Sequence, residues 1–140
     1  MVKQTDTIMV VDDEVKLSRA ISRVLTNAGY HVLLAYDGES ALKAMMGKNP
    51  LVVLLDLMMP GMNGREVCRE IREYSPLTKV IYFTARAEAH EQPELTELRA
   101  EADAIITKPA PGAKILAEIK RVTSLEFSDI RRQSALIFKD

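Results

Sequence analysis

The stretch from Leu51 to Gly61, LVVLLDLMMPG, is the part of this 140-residue chain that decides its fold. Its aliphatic residues run without interruption into a carboxylate, Asp56. A short, continuous apolar run of this kind is typical of a strand buried on both faces of a parallel sheet. Pro60 and Gly61 then end the run, so Asp56 is expected near the carboxyl end of a central strand. Open α/β sheets bind their ligands at that edge, although a single aspartate more often caps a turn.

Length and composition predict one globular domain. The chain is 47% hydrophobic, which is enough for one core, and it contains no long apolar run of the kind found in signal peptides and membrane spans. A net charge of -1 gives no basic surface for nucleic acid or an anionic membrane. The single cysteine, Cys68, excludes an internal disulfide and a multi-cysteine zinc site. We therefore expect a cytoplasmic protein without a direct nucleic-acid partner and without membrane insertion.

On both sides of the opening stretch, strand and helix patterns alternate five times. Strands are predicted at 7–11, 31–35, 79–83 and 104–107, in addition to the opening stretch. A helix follows each strand; the fourth is predicted to begin near Glu94 and the fifth to cover 112–122. The glutamates spaced through 88–101 are interpreted as a solvated face. This alternation indicates right-handed βαβ units, and hence a mainly parallel sheet with helices on both faces.

Polar side chains stand at the carboxyl ends of four predicted strands. Asp12 and Asp13 follow the first strand, Asp56 the third, Thr84 the fourth and Lys108 the fifth. These ends share one edge of a parallel sheet, where three carboxylates would repel one another unless a cation offset their charge. Oxygen ligands alone predict a hard divalent ion, Mg²⁺, with Mn²⁺ as a substitute. A lysine and a hydroxyl suit the oxygens of a phosphoryl group.

This set of groups predicts phosphoryl transfer to an aspartate. Asp12 and Asp13 suit joint coordination of the metal, which leaves Asp56 as a nucleophile toward phosphorus. Phosphoryl transfer needs mainly alignment and neutralisation of charge, so no separate general base is required.

Four motifs at these strand ends resemble the receiver domain of two-component response regulators. They are VVDDE at 10–14, LLDLMMPGMNG at 54–64, YFTA at 82–85 and ITKP at 106–109. The resemblance covers about 7–122 and implies a CheY-like, flavodoxin-like, doubly wound sheet of five parallel strands in the order 2-1-3-4-5. It divides the chain into a receiver domain at 5–123 and a C-terminal extension at 124–140. In the extension, the spacing of Phe127, Ile130 and Ile137 suggests a short sixth helix.

The resemblance also implies a metal site and a phosphoacceptor. Asp12 and Asp13 match the acidic pair that binds Mg²⁺, Asp56 matches the phosphoacceptor, and Met58 matches the residue whose backbone carbonyl completes the metal site. The family receives its phosphoryl group from a phosphohistidine on a sensor histidine kinase or a histidine phosphotransfer protein. Its output is a changed surface that a downstream protein target binds, and no free metabolite is turned over.

Further positions concern switching and the lifetime of the phosphoryl group. Thr84 resembles the switch hydroxyl and Lys108 the lysine that contacts phosphate, but Ile105 stands where the family usually has Tyr or Phe. The route from Thr84 to the surface therefore stays open. Met58 and Arg86 match positions that in this family flank the path of the water that attacks the acyl phosphate, and the length of both side chains predicts a long-lived phosphoryl state.

Several alternatives remain beside a receiver that acts alone or in a phosphorelay. The chain could be the receiver part of a longer regulator whose effector domain is absent. A haloacid-dehalogenase-like phosphatase would need a second aspartate at the position of Met58, and a flavodoxin would not place Asp12, Asp13 and Glu14 against a phosphate. A binding module that is never phosphorylated would not need these groups. The cognate kinase, the target and the oligomeric state, with a homodimer among the options, are not decided by the sequence.

Overall fold

Five β-strands and five α-helices alternate in the computed structural model, which describes residues 6–61, 63–85 and 92–137, and their side chains except those of 92–95 and 125–137. The strands are β1 (Thr7–Val11), β2 (His31–Ala35), β3 (Val52–Leu55), β4 (Lys79–Thr84) and β5 (Ala104–Thr107). The helices are α1 (Val15–Asn27), α2 (Gly38–Met45), α3 (Gly64–Tyr74), α4 (Gln92–Glu101) and α5 (Gly112–Ile137).

The strands form one parallel sheet in the order β2-β1-β3-β4-β5. This confirms the flavodoxin-like order that the sequence motifs implied. Val11 at the end of β1 lies opposite Leu55 at the end of β3, and Thr84 of β4 lies opposite Thr107 of β5. The carboxyl ends of these strands are therefore level, and the loops that follow them meet at one edge.

Helices cover both faces of the sheet. On one face, Met45 of α2, Ile71 of α3 and Leu98 of α4 share a buried apolar cluster. On the other, Leu25 of α1 and Ile119 of α5 share a second cluster. Every residue of β3 is buried, as its uninterrupted apolar sequence predicted, because both of its faces are covered by helices.

Polar side chains cap the N-terminal ends of α2 and α3. The Asp37 carboxylate accepts a hydrogen bond of 2.7 Å from the Ser40 N–H at the start of α2. The Asn63 side chain accepts one of 2.8 Å from the Arg65 N–H at the start of α3. Gly29, with φ of 100°, follows the end of α1 in the left-handed conformation that favours glycine.

The C-terminal extension is helical through Ile137, but it continues α5 from Gly112 and does not form the separate sixth helix that the spacing suggested. No glycine or proline between these residues interrupts it. At about 1.5 Å per residue its 26 residues span about 39 Å. The strands have four to six residues, so the second half of α5 extends well beyond them. The expected packing of Phe127, Ile130 and Ile137 concerns side chains outside the described set.

Helix α4 starts earlier than the sequence predicts, and none of the described helices is of the membrane-spanning kind. Helix α4 begins at Gln92, two residues before the predicted start, with Pro93 in its first turn, where a missing N–H costs nothing. Within the part of the chain that the structure describes, no helix is long and apolar enough to cross a bilayer.

Candidate functional site

The loops after β1, β3 and β5 bring three carboxylates and an amine together at the carboxyl edge of the sheet. One oxygen atom from each of Asp12, Asp13 and Asp56 lies within 4.8 Å of the other two. Lys108 Nζ lies 2.7 Å from Asp12 Oδ2 and 3.5 Å from Asp56 Oδ2. The structure thus places side chains that are up to 96 residues apart in sequence around one small volume.

The backbone of the site is held by the sheet itself. The Asp12 N–H donates to the Ala35 carbonyl at 3.0 Å, and the Asp56 N–H donates to the Val11 carbonyl at 2.9 Å. These bonds continue the strand ladders by one residue beyond β1 and β3. The two carboxylates therefore start from rigid backbone, although each follows its strand in sequence.

Asp56 is a buried carboxylate in a polar surrounding. Burial, the largest effect, raises its pKa, and the negative charge of Asp12 adds to the rise. The Met58 N–H, which donates to Asp56 Oδ1 at 3.0 Å, and the positive charge of Lys108 oppose it. Because the pKa is still raised overall, a positive charge or covalent neutralisation at this carboxylate is favoured.

Lys108 is surrounded by acidic and aromatic groups. Its Nζ atom also lies 3.4 Å from Glu14 Oε1 and 5.2 Å from the centre of the Phe83 ring. Burial alone would lower the pKa of Lys108, but the hydrogen bond to Asp12 and the charges of Asp12, Asp56 and Glu14 outweigh it and raise the pKa. The ammonium group is therefore charged and lies where a phosphoryl oxygen on Asp56 could reach it.

The donor set fits a hard divalent cation. Asp12 and Asp56 are buried and Asp13 is exposed, so the cluster opens to solvent on the side of Asp13. Asp12 Oδ1 accepts a 2.9 Å hydrogen bond from the Glu14 N–H, which orients this carboxylate. Carboxylate oxygens with one open side suit Mg²⁺, which retains water ligands. These three residues would hold the ion.

Thr84 lies at the same edge, as the last residue of β4, and is buried. Its carbonyl accepts a 2.9 Å hydrogen bond from the Lys108 N–H, so the two positions are joined through the backbone. Ile105 lies opposite Tyr82 in the β4–β5 pairing and packs against the core. The Lys108-Pro109 bond is cis.

Met58 and Arg86 are the two residues predicted to influence the lifetime of the phosphoryl group. Met58 is 53% exposed and lies two residues beyond Asp56, and its backbone N–H donates to Asp56 Oδ1. Arg86 lies outside the described residues. The role of the Met58 carbonyl as a metal ligand stays a prediction.

Gly64, the last residue of the LLDLMMPGMNG motif, determines how closely α3 approaches the site. A Cβ atom added to Gly64 would lie 2.7 Å from the Asp56 carbonyl oxygen and 2.8 Å from Leu57 Cα. Both atoms belong to the backbone and cannot move aside cheaply. Only glycine lets α3 begin against the loop that carries Asp56.

A polar cluster that the sequence pattern does not predict, the Glu101 clamp, joins α3, β4 and the end of α4. Arg65 of α3 binds the Glu101 carboxylate with Nε at 2.9 and 3.0 Å from its two oxygens, and its Nη2 also contacts it. The buried Tyr82 of β4 donates to Glu101 Oε1 at 2.9 Å. Arg72 of α3 donates to the Glu101 carbonyl at 2.8 Å and to Asp103 Oδ2 at 3.2 Å. The clamp consists of Arg65, Arg72, Tyr82, Glu101 and Asp103.

The electrostatics of the clamp contradict the interpretation of Glu101 as part of a solvated face. The hydrogen bond from Arg65 is the main cause of a lowered pKa at Glu101. Burial raises the pKa of Tyr82. Burial also raises the pKa of the neighbouring Cys68 thiol, whose Sγ donates to the Glu101 carbonyl at 3.7 Å. Glu101 is therefore an ionised, partly buried anchor for the C-terminal end of α4.

Comparison with known proteins agrees with this fold and site. A family model described as the response regulator receiver domain matches residues 8–120. The chain is 35% identical over 136 residues to the response regulator MprA of Mycobacterium ulcerans, which covers 95% of this chain and 58% of that protein. It is 35% identical over 130 residues to the transcriptional regulatory protein DltR of Streptococcus agalactiae, covering 93% of this chain and 54% of the relative.

A solved structure gives the same result. The response regulator TrrA of Thermotoga maritima, in complex with Mg²⁺ and BeF, aligns with a TM-score of 0.72 at 32% identity and covers 83% of this chain and 97% of that one. The chain belongs to the response regulator receiver family. It spans about half the length of the curated relatives that it matches.

Proposed function

We propose that this receiver accepts a phosphoryl group on Asp56 and that Asp12, Asp13 and Asp56 hold a Mg²⁺ ion beside it, with Mn²⁺ able to substitute. The observation that carries the proposal is the convergence of the three carboxylates within 4.8 Å, with Lys108 Nζ 3.5 Å from Asp56 Oδ2. Among the described residues, no other three metal-binding side chains come this close together.

The transfer is a displacement at phosphorus. A carboxylate oxygen of Asp56 attacks the phosphorus of a phosphohistidine donor, and the bond from phosphorus to nitrogen breaks with its electron pair left on the imidazole, which then takes a proton. A metal ion held by Asp12, Asp13 and Asp56 would add positive charge next to the phosphoryl oxygens. Lys108 stabilises the charge on the same oxygens, and the Met58 N–H holds the Asp56 carboxylate in one orientation.

The partners follow from this chemistry. The donor is a sensor histidine kinase or a histidine phosphotransfer protein, and the phosphorylated receiver acts on a downstream protein target, alone or in a phosphorelay. The chain is a phosphoacceptor that catalyses its own phosphorylation and dephosphorylation, without turnover of a free metabolite. Thr84 is the switch residue, supported by the backbone bond that joins it to Lys108.

Intact mass spectrometry tests the proposal directly. The protein is incubated with Mg²⁺ and a small acyl phosphate, and the wild type is expected to gain the mass of one phosphoryl group. Asp56→Asn is expected to gain none, because the amide is not a nucleophile toward phosphorus. Asp6→Asn is the matched control, since Asp6 is exposed and lies away from the site, and it should react like the wild type.

Two results would contradict the proposal. One is a wild type that gains no mass with either Mg²⁺ or Mn²⁺. The other is an Asp56→Asn variant that is still phosphorylated at the wild-type rate, because the phosphoryl group would then be on another residue.

A second candidate is a receiver that controls an attached output domain. It is favoured by the relatives, in which the matched region is only 58% and 54% of the protein and one of which is named a transcriptional regulatory protein. Detection of the native protein by immunoblot separates the two. A species of the mass of 140 residues indicates a receiver that acts alone, and a species about twice as large indicates an attached output domain.

A further inference from the structure

A groove between α2 and α3 is a separate feature that the phosphoacceptor chemistry does not use. Its volume is about 450 Å³. Two of its large apolar side chains are well exposed, Met46 at 66% and Tyr74 at 61%. The groove is lined by Glu39, Leu42, Lys43, Met46, Glu70 and Tyr74.

The charges at the groove favour a cationic occupant. Lys43 Nζ lies 3.5 Å from Glu39 Oε1, so these two charges largely offset each other. Glu70 is partly buried, and it has no ion pair within the part of the chain that the structure describes. An apolar groove with an unmatched carboxylate at its side suits a bulky apolar side chain that is flanked by a basic one.

The size of the groove restricts what can occupy it. Small-molecule pockets measure about 300–1,000 Å³, so this groove has room for one or two large side chains. A standard interface between folded domains buries about 800 Å² on each partner, far more than this groove offers. A short segment is therefore the occupant, inserted in the manner of a helix in a groove.

The chain carries such a segment in 131–138, RRQSALIF. Arg132 precedes Leu136 by four residues, which is one helical turn, so a cation and a bulky apolar residue can reach one groove together. The backbone of α5 is helical through Ile137, so most of this segment has the helical form that groove binding requires.

The segment lies away from the groove of its own chain. Ile115 and Ile119 of α5 pack with Leu25 on one face of the sheet. Ala41 of α2 and Ile71 of α3 pack on the opposite face. Helix α5 is continuous to Ile137 and packs on the face of the sheet opposite α2 and α3, so its C-terminal part is directed away from the groove of its own chain. The segment of another copy can approach the groove without this constraint.

We propose that the α2–α3 groove binds the 131–138 segment of a second copy of this chain. Leu136 enters between Met46 and Tyr74, and Arg132 pairs with Glu70. Two copies that exchange segments make the groove-to-helix contact twice, so they form a closed, two-fold symmetric dimer. It does not depend on phosphorylation of Asp56.

Sedimentation velocity of the unphosphorylated 140-residue chain, over a concentration series at low salt, tests this. The wild type is expected to associate reversibly. Glu70→Lys is expected to weaken association at least about tenfold, through repulsion of Arg132. Tyr74→Ala should weaken it by a similar factor, through loss of the apolar contact. Glu73→Lys is the matched control: it changes the same charge on α3 outside the groove, and should stay within about twofold of the wild type.

Mixing two defective variants identifies the partner of the groove. Glu70→Lys keeps an intact segment, and the double variant Arg131→Glu, Arg132→Glu keeps an intact groove. Each alone is expected to be monomeric, and an equimolar mixture is expected to associate. A monomeric wild type, a Glu70→Lys variant that associates normally, or a mixture that stays monomeric would each overturn the proposal. A pairing of two α5 helices is included among these outcomes, because it would not respond to Glu70→Lys.

Discussion

Gly64 shows how a single residue sets the distance between a helix and a reactive carboxylate. We predict that Gly64→Ala lowers the free energy of unfolding by about 2 kcal/mol, because its Cβ would lie 2.7 Å from the Asp56 carbonyl oxygen. Alanine normally stabilises a helix relative to glycine by roughly 0.5–1 kcal/mol, so the sign of the change is diagnostic. Urea denaturation measures it. An unchanged or increased free energy would show that the loop after β3 yields to α3.

Met58 is the second single residue with a specific consequence. If its exposed side chain crowds the water that attacks the phosphoryl group, Met58→Ala should speed loss of that group by several-fold, up to about tenfold. The decay of phosphorylated protein, followed by intact mass after removal of the donor, measures this rate. Met46→Ala is the matched control, because Met46 is also exposed but lies in the α2–α3 groove. The hypothesis fails if both Met58→Ala and Arg86→Ala decay like the wild type.

Among single residues, the sequence predicted the roles of those that interrupt an apolar strand pattern. Asp56 and Lys108 were predictable because each is a charge placed directly after an apolar strand. Gly64 and Tyr82 were not, because their roles depend on contacts between elements that are distant in sequence. In the sequence, Tyr82 is an ordinary strand residue. Its role appears only in the fold, where Glu101 of α4 accepts a hydrogen bond from its hydroxyl group.

The C-terminal end of α4 is held by both apolar and polar contacts. Leu98 and Ala102 are buried there, and the Glu101 clamp adds hydrogen bonds to α3 and β4. We predict that Glu101→Gln lowers the free energy of unfolding by about 1–2 kcal/mol at pH 7, because it removes the charge that binds Arg65 and weakens the bond from Tyr82. The estimate is modest because the Glu101 side chain is 28% exposed.

The same variant should reveal a pH dependence. The folded pKa of Glu101 is lowered, so its contribution is complete above the unfolded value of about 4.3 and is lost as the pH falls through the lower folded value. The gap in stability between wild type and Glu101→Gln should therefore be full near pH 7 and shrink as the pH falls below the unfolded value. Urea denaturation at several pH values measures it. Glu97→Gln is the control, since Glu97 is 65% exposed, contacts the same arginine at 3.4 Å and should cost less than about 0.5 kcal/mol. A gap that is constant with pH would contradict the assignment.

Helices were predictable from the sequence where caps and breakers mark their ends. The α2 and α3 starts follow Asp37 and Asn63, whose side chains make the expected bonds. The predicted start of α4 was two residues late. That start places Pro93 before the helix, but a proline is also tolerated in the first turn of a helix. The predicted end of α5 at Val122 was too early. The receiver fold requires a helix only to about this residue, but the sequence has no glycine or proline there to end it, and the helix continues to Ile137.

For the whole molecule, metal binding and folding should be coupled. A ligand that binds only the folded protein stabilises it by about 1.4 kcal/mol at a concentration ten times its dissociation constant. We therefore predict that MgCl₂ raises the melting temperature of the wild type by several degrees. Asp13→Asn should abolish most of this rise without unfolding the protein, because Asp13 is exposed. Differential scanning calorimetry with EDTA as the reference measures both.

The control for the rise in melting temperature is Asp6→Asn. It should respond to MgCl₂ like the wild type, because Asp6 lies away from the three clustered carboxylates. An equal rise in all three proteins would mean that the ion acts by screening surface charge rather than by binding the cluster.

The bonds from Asp12 to Ala35 and from Asp56 to Val11 make the reactive edge a part of the sheet rather than a loop attached to it. In deuterium oxide, the amide protons of Asp12 and Asp56 should accordingly be retained as long as those in the middle of β1 and β3, and be released only when the whole domain opens. Fraying of the surrounding loops would leave them unlabelled. The fraction of molecules able to accept a phosphoryl group on Asp56 would then fall only as the fraction of folded molecules falls.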